Sequence, residues 1–336
     1  MVLIMVELTT ILSKMIFRHL NFETKIKWVN SISIILIHLL AILGFFTFDY
    51  ITKWRTFLWG LFVGGLGGFG VTAGAHRLWS HRSYKAKLPL RIFLMLCFSI
   101  AGQNNLYNWV RDHRVHHKFS ETVADPHNAN RGFFFSHVGW LMMKKHPQVI
   151  EKGKKINMDD LFEDPVAAFL IRNFWWLKLM MCFFAPSVVP HVFWGETWYW
   201  SVYSQAVCRY VLNLNFTWLV NSIAHMWGNR PYDKAISPSE NFVVSLLSIG
   251  EGWHNYHHTF PWDYRAAELG KFSVTTFWLN LFAKIGWAYD LKIPSDNLVR
   301  MIAENRGDGT YVANNHLAHA EIHDLDINGN IRLRRT

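Results

Sequence analysis

Histidines gather at three places in this chain: His76 and His81 in His-Arg-Leu-Trp-Ser-His, His113, His116 and His117 in His-Arg-Val-His-His, and His254, His257 and His258 in His-Asn-Tyr-His-His. Neutral imidazole is a ligand for iron, copper and zinc, and eight imidazoles exceed the needs of one ion, so the economical reading is a dinuclear metal site. At ~100° per residue, residues i, i+3 and i+4 of a helix fall within about a 100° arc, so each trio is able to converge on a common centre. His76 and His81 are five apart and point about 140° away from each other on a regular helix, so they serve different ions or the helix unwinds between them.

The elements that must position these boxes are apolar. Among the 336 residues, 51% are hydrophobic, with 17 Trp and 26 Phe. Stretches 28–48 and 56–75 are each about the length that crosses a hydrocarbon core, and a short Asp49–Arg55 link makes them a hairpin. A second hairpin is expected from 174–194 and 197–222, with an aromatic turn at Trp194 and Trp198 suited to a membrane interface. Leu90–Gly102 is too short to span and carries Arg91, and its crossing would separate the first two boxes, so an interfacial or partly buried helix is expected. The fold class is an all-helical integral membrane protein, four transmembrane helices in two hairpins under a helical cap that holds the metals.

With four spans, all three boxes and both termini lie on one side. Lys14, Arg18, Lys25, Lys27 and the many basic residues between Arg77 and Arg172 share that side, which the positive-inside rule makes cytosolic, while Lys53 and Arg55 count against it. The division is a cytosolic segment 1–27, a membrane domain 28–310 with its cap from 76–173 and 223–310, and a polar tail 311–336. The formal net charge of +10 calls for an anionic partner, with lipid headgroups, a phosphorylated substrate and an acidic electron donor each answering it; no nucleic-acid motif is present. Cys97, Cys182 and Cys208 lie in apolar runs without paired spacing and read as buried thiols. Residues 1–12 lack a basic leader and a cleavage site, so no removable signal peptide is expected.

Taken together, the boxes, spans and one-sided layout resemble the membrane fatty acyl-CoA desaturases, the stearoyl-CoA desaturase family, from about Trp28 to Thr310. The resemblance is carried by Thr72-Ala-Gly-Ala-His-Arg-Leu-Trp-Ser-His81, Trp109-Val-Arg-Asp-His-Arg-Val-His-His-Lys-Phe-Ser120, Asp125-Pro-His-Asn128, Gly132-Phe-Phe-Phe-Ser-His-Val-Gly-Trp140, Asn221-Ser-Ile-Ala-His225, Arg230-Pro-Tyr-Asp233 and Gly250-Glu-Gly-Trp-His-Asn-Tyr-His-His258. In detail the chain is most similar to the insect branch, moth enzymes in particular, some of which make pheromone precursors. The resemblance implies a ninth imidazole, His225, completing a two-iron site, with Asn221 holding a water near one metal. It implies that Asn104, Arg111 and Asp112 contact the CoA portion or the acyl carbonyl region, and that Trp109 and Trp218 line an acyl tunnel. Lys144 and Lys145 are candidates for the CoA phosphates or for a basic lipid-facing patch.

An unactivated methylene needs an oxidant that no side chain supplies, which two irons fit. The resemblance implies O2 as co-substrate, a saturated or monounsaturated fatty acyl-CoA as substrate, two electrons from cytochrome b5, a multi-pass place in the endoplasmic reticulum membrane, and removal of two adjacent hydrogens. No haem or dinucleotide fingerprint is present, so the donor is a separate protein. Gly60, Gly64 and Gly68 recur every four residues on one face of the second span, as close packing against another span requires. In the family, side chains near Gly64 and Gly68 close the far end of the tunnel, so glycine there suggests tolerance of longer chains.

Other histidine-rich diiron membrane enzymes, a hydroxylase or a conjugating desaturase, share the first hydrogen abstraction and are separated by product; a transport or receptor protein with structural zinc would consume no oxygen. Asp324-Leu-Asp-Ile-Asn-Gly329 opens like an EF-hand, but Arg335 stands where the bidentate Glu belongs, so it reads as a polar turn, and His316, His319 and His323 as part of a polar tail. Asn215-Phe-Thr217 is a glycosylation sequon inside a span and should be inaccessible. His127 and His137, near the boxes in sequence, are candidates for extra ligands or for groups that support the ligands, with structural hydrogen bonding the preferred expectation.

Overall fold

The computed structural model describes residues 24–312, and the expectations placed on the leader, Lys14, Arg18, the tail histidines and Asp324–Gly329 lie outside the described residues. Helix α1 (Trp28–Thr47) turns Ile35, Leu36, Leu39 and Leu43 outward, a contiguous apolar face of the kind that meets lipid or a partner. Its 20 residues extend about 30 Å, the thickness of a hydrocarbon core. Helix α2 (Trp54–Ser80) is seven residues longer, and its last part carries His76 beyond the apolar zone.

That last part explains the first histidine pair. From Gly70 to Ser80 the helix is π-wound, with the His81 N–H bonded to His76 O at 3.1 Å. In this winding residue i+5 bonds residue i, so residues five apart stack on one side. The rings of His76 and His81 are 4.9 Å apart and join the same group, so of the two expected alternatives the different ions are excluded and the departure from regular winding is found, as a π-wound segment. Gly70 permits the packing, since a Cβ there would sit 2.1 Å from Phe98 N.

A two-stranded antiparallel ribbon, β1 (Lys85–Ala86) with β2 (Ala288–Tyr289), is a small departure from an all-helical chain. Helix α3 (Leu88–Ala101) packs its Leu90, Leu94, Phe98 and Ala101 face into the main core, as a partly buried short helix should, and Arg91 pairs with Asp164 at 2.8 Å. Helix α4 (Leu106–Phe119), capped by Asn105, carries the second box. Helix α5 (Pro165–Trp194) bends at Asn173, where φ is −106° and ψ 15°.

The fourth expected span, 197–222, falls on a helix that runs without a break over 198–226 and is here called α6. Among the described residues only α1, α2 and α5 are long and apolar enough to cross a membrane, because α6 carries Gln205, Arg209, Asn213, Asn215 and Asn221. These groups face inward. Arg209, buried, donates to Gln205 O at 3.0 Å, to Ile100 O at 3.3 Å and to Cys182 O, carbonyls of π-wound turns and of the end of α3. Asn213 Nδ2 donates to Gly64 O at 3.1 Å, and Asn215 Oδ1 meets His137 Nε2 at 3.1 Å, which seals the sequon in the interior. Such bonds are what allow polar groups inside a helical bundle. The short helix α7 (His254–Thr259) holds the third box. Cys97, Cys182 and Cys208 are buried free thiols.

Candidate metal centre

The ends of α2, α4 and α6 meet α7 over the apolar bundle, and nine histidines converge there in two groups. His76, His81, His113, His117 and His257 form one; His116, His225, His254 and His258 form the other; within each, the nearest ring nitrogens lie inside 4.8 Å of one another. Each trio therefore divides between the groups instead of sharing a centre. His116 and His117, neighbours about 100° apart on α4, have to look to opposite sides, and His257 is likewise turned away from His254 and His258 on α7.

The nitrogens that meet are Nε2 atoms: His76 with His257 at 2.9 Å, His81 with His113 at 2.8 Å, His117 with His257 at 3.1 Å, His225 with His254 at 2.9 Å and His254 with His258 at 3.1 Å. Neighbouring ligands about 2.1 Å from a shared ion stand about 3 Å apart, so this spacing is that of imidazoles around a cation. His116 Nε2 is buried with no hydrogen-bond partner and belongs to the four-histidine group. Burial holds His81, His113, His117, His254, His257 and His258 well below the ordinary imidazole pKa, so they present lone pairs at neutral pH. The donor set fits two metal ions.

Three carboxylates that the sequence reading did not single out fix the ring orientations. Glu251 Oε2 accepts from His76 Nδ1 at 2.7 Å, Asp125 from His116 Nδ1 at 2.9 Å and Glu121 from His225 Nδ1 at 2.6 Å. A carboxylate on Nδ1 fixes the tautomer that leaves Nε2 free for metal. Glu251 is also held by Arg77 Nη2 at 2.6 Å; burial alone would raise its carboxyl, but Arg77 and His76 outweigh that and hold it at about 2. For His116 burial works downward and the Asp125 carboxylate, prevailing, raises its pKa. The available signal was position, since Asp125 and Glu251 both lie within stretches that carry the family resemblance, Glu251 three residues before His254.

Beneath the histidines an apolar cavity of about 220 Å³ runs into the bundle, with His76, His113, His116 and His254 on its wall. Trp109, Asn221, Gly64 and Gly68 line it too. The Trp109 ring stacks on His113 at 5.2 Å, and its Nε1 donates to Gln103 Oε1 at 3.0 Å. A second cavity of about 130 Å³, reaching Gly44 and Tyr50, shares Leu61, Gly64, Asn213 and Phe216 with the first. The glycine repeat thus both packs and opens: Gly60 abuts Gln205 of α6, while Gly64 and Gly68 border the cavity, and the neighbouring Gly67 and Gly70 abut α3.

Other expected residues fall elsewhere. Trp218 does not line either cavity; it is buried between His38, stacked at 5.9 Å, and His137, edge-on at 5.8 Å, because its place on α6 faces α1 and the cap. Asn104 also lies outside them, its Oδ1 accepting from Asn105 N at 2.8 Å. Arg111 and Lys145 border a separate cavity of about 140 Å³, and buried Asp112 pairs with Lys145 and, at 3.4 Å, with Arg111, so its charge is already engaged. Lys144 is exposed. His137 makes the expected structural bonds, to Ser222 and Asn215. His127 does not: its buried Nδ1 has no hydrogen-bond partner and stays 3.8 Å from Asp125, whose oxygens are taken by His116 and by backbone N–H groups.

The model of the family described as fatty acid desaturase matches residues 52–273. An acyl-CoA Delta-9 desaturase of Acheta domesticus is 52% identical over 292 residues, 86% of this chain and 81% of that protein. An acyl-CoA Delta(11) desaturase of Spodoptera littoralis is 50% identical over 288 residues, 85% of each chain. The stearoyl-CoA desaturase of Homo sapiens is 52% identical over 285 residues, 84% of this chain and 79% of that one. With two histidine groups set over an apolar cavity and half of the aligned residues shared with these enzymes, the chain belongs to the fatty acid desaturase family.

Proposed function

We propose that this chain is an acyl-CoA desaturase, acting on a fatty acyl-CoA at a two-iron centre with O2 and two electrons from cytochrome b5. The observation that carries the reading is the apolar cavity ending on four of the nine histidines, in a chain about half identical to acyl-CoA desaturases. Two irons, with dioxygen and electrons, supply the oxidant that an unactivated methylene requires. The balance is two C–H hydrogens, O2, two electrons and two protons going to one double bond and two waters.

The chain's own residues do the positioning. His76, His81, His113, His117 and His257 hold one ion and His116, His225, His254 and His258 the other, with Asn221 beside the second through a water. The cavity excludes water and fixes which carbon pair lies beside the histidines, so geometry selects the bond. Trp109 backs His113 and forms part of that wall. Arg111, Lys144 and Lys145 receive the CoA portion at the cap surface, with Asp112 orienting Arg111 and Lys145, and Asn104 contacts the CoA portion or the acyl carbonyl region. Gly64 and Gly68 leave room for acyl chains that reach further past the irons. The polar helix α6 completes four spans in the endoplasmic reticulum membrane, with cap and termini in the cytosol.

Expression in yeast lacking its own desaturase, with fatty acids analysed by gas chromatography and mass spectrometry, tests this. A new unsaturated acid that disappears in His116→Ala is expected; an alcohol product, or no product from folded iron-loaded protein, would overturn the assignment.

A further inference from the structure

The carboxylates around the histidines are divided unevenly. The four-histidine group is flanked by Asp125 on His116 and Glu121 on His225, and among the described residues no arginine or lysine pairs with either. The five-histidine group has Glu251 on His76, and that carboxylate is shared with the buried Arg77 guanidinium. Counting formal charge, Asp125 and Glu121 bring −2 to one group, whereas Glu251 and Arg77 bring −1 and +1, a sum of zero, to the other. All four side chains are buried or nearly so, Glu121 being 11% exposed, so water screens this difference little.

We infer that the two centres are electrically unequal, and that the four-histidine centre binds a divalent cation more tightly and fills first, with Asp125 and Glu121 as its positioning residues. The inference rests on the two-metal reading above. The fifth imidazole of the other group works the opposite way, but it is neutral and replaces a neutral water. Two uncompensated carboxylates attract a divalent ion at short range in a medium of low dielectric, and that attraction outweighs one such exchange.

Full-length protein in detergent, stripped by a chelator and titrated with Co(II), would be followed by visible ligand-field absorption and by metal content per chain. Two steps are expected, the tighter one abolished by His225→Ala and the weaker by His81→Ala. Asp125→Asn should weaken the tighter step about 10–100-fold and leave the other in place. Glu121→Gln, at a less enclosed side chain, provides the same reading should Asp125→Asn fail to fold by circular dichroism. Loss of the weaker step in His225→Ala, or two steps unmoved by both carboxamide variants, would overturn the inequality while leaving the two-metal reading intact. Fewer than two cobalt ions per wild-type chain would remove that reading and the inference together.

Discussion

A side chain grown from Gly68 would point into the cavity below the histidines, where its Cβ meets only the Ile249 side chain, at 3.4 Å, an ordinary contact. Gly64 is tighter, 3.0 Å from Asn213 Oδ1, so Gly68 is the cleaner position for a test. Gly68→Leu should reduce turnover of the longest accepted acyl-CoA by at least about tenfold, relative to the shortest, as competing substrates in one assay. An unaltered chain-length profile would show that the cavity does not hold the acyl chain. A different single residue governs the response of stability to pH. Glu240 is partly buried, its Oε1 accepting from Tyr256 N at 2.9 Å, and loss of hydration there pushes its carboxyl from 4.5 up to about 8. Between those values the unfolded chain has released the proton and the folded protein keeps it, so the folded state binds more protons and loses stability as pH rises. Glu240→Gln, which keeps the acceptor oxygen, removes this loss. The thermal midpoint of the wild type should fall progressively behind that of the variant from pH 4.5 to about 8 and track it above, whereas a constant offset would show that Glu240 titrates normally.

At the scale of elements, the π-wound end of α2 sets the register of the first histidine pair, and it depends on close approach to α3. A Cβ at Gly70 would lie 2.1 Å from Phe98 N and 2.2 Å from Cys97 C, backbone atoms that cannot turn aside. Gly70→Ala should therefore cost at least about 1–3 kcal/mol of stability and loosen His76 and His81, seen as a lower thermal midpoint and reduced metal content. Unchanged values for both would mean that the helices separate at little cost. The same segment shows where sequence reading stops. Nine histidines were legible, eight in the three boxes from residue type and spacing and His225 through a family likeness. Which histidine joins which group was not, because a 3.6-residue helix turns His76 and His81 apart and each trio to one side, whereas the π winding brings the pair together and the two groups divide each trio. The polar face of α6 was legible as composition, yet its carbonyl partners, such as Gly64 and Cys182, come from helices distant in sequence. Glu121, Asp125 and Glu251 carry no periodic signal at all, and only the folded cap shows them beneath the rings.

At the scale of the whole molecule, the proposed orientation puts the histidine groups and the basic cap on the cytosolic side. The basic residues that weighed against it are accounted for locally: Lys53 pairs with Glu196 at 3.3 Å, and the Arg55 guanidinium lies over the Trp54 ring at 5.4 Å. Glu196 is buried, also accepting from Thr56 Oγ1 at 3.0 Å, so the turn at 195–197 is fastened to the start of α2 on the side away from the histidines. The cap closes the other end, where Lys27 N donates to Met142 O at 2.7 Å and Lys144 N to Lys25 O at 2.8 Å. On the function proposed above, the histidine groups and the basic cap share the side reached by the CoA ester and by the electron donor. Single cysteines report this directly, because Cys97, Cys182 and Cys208 are buried and should remain silent to a membrane-impermeant maleimide. In sealed vesicles with the cytosolic face outward, Val123→Cys, on the cap and 50% exposed, should react at once. Ile51→Cys, 85% exposed in the first turn, should react only after the vesicles are opened. Labelling of both positions in intact vesicles would place α1 and α2 on one side of the bilayer and require a different path for the polar helix α6.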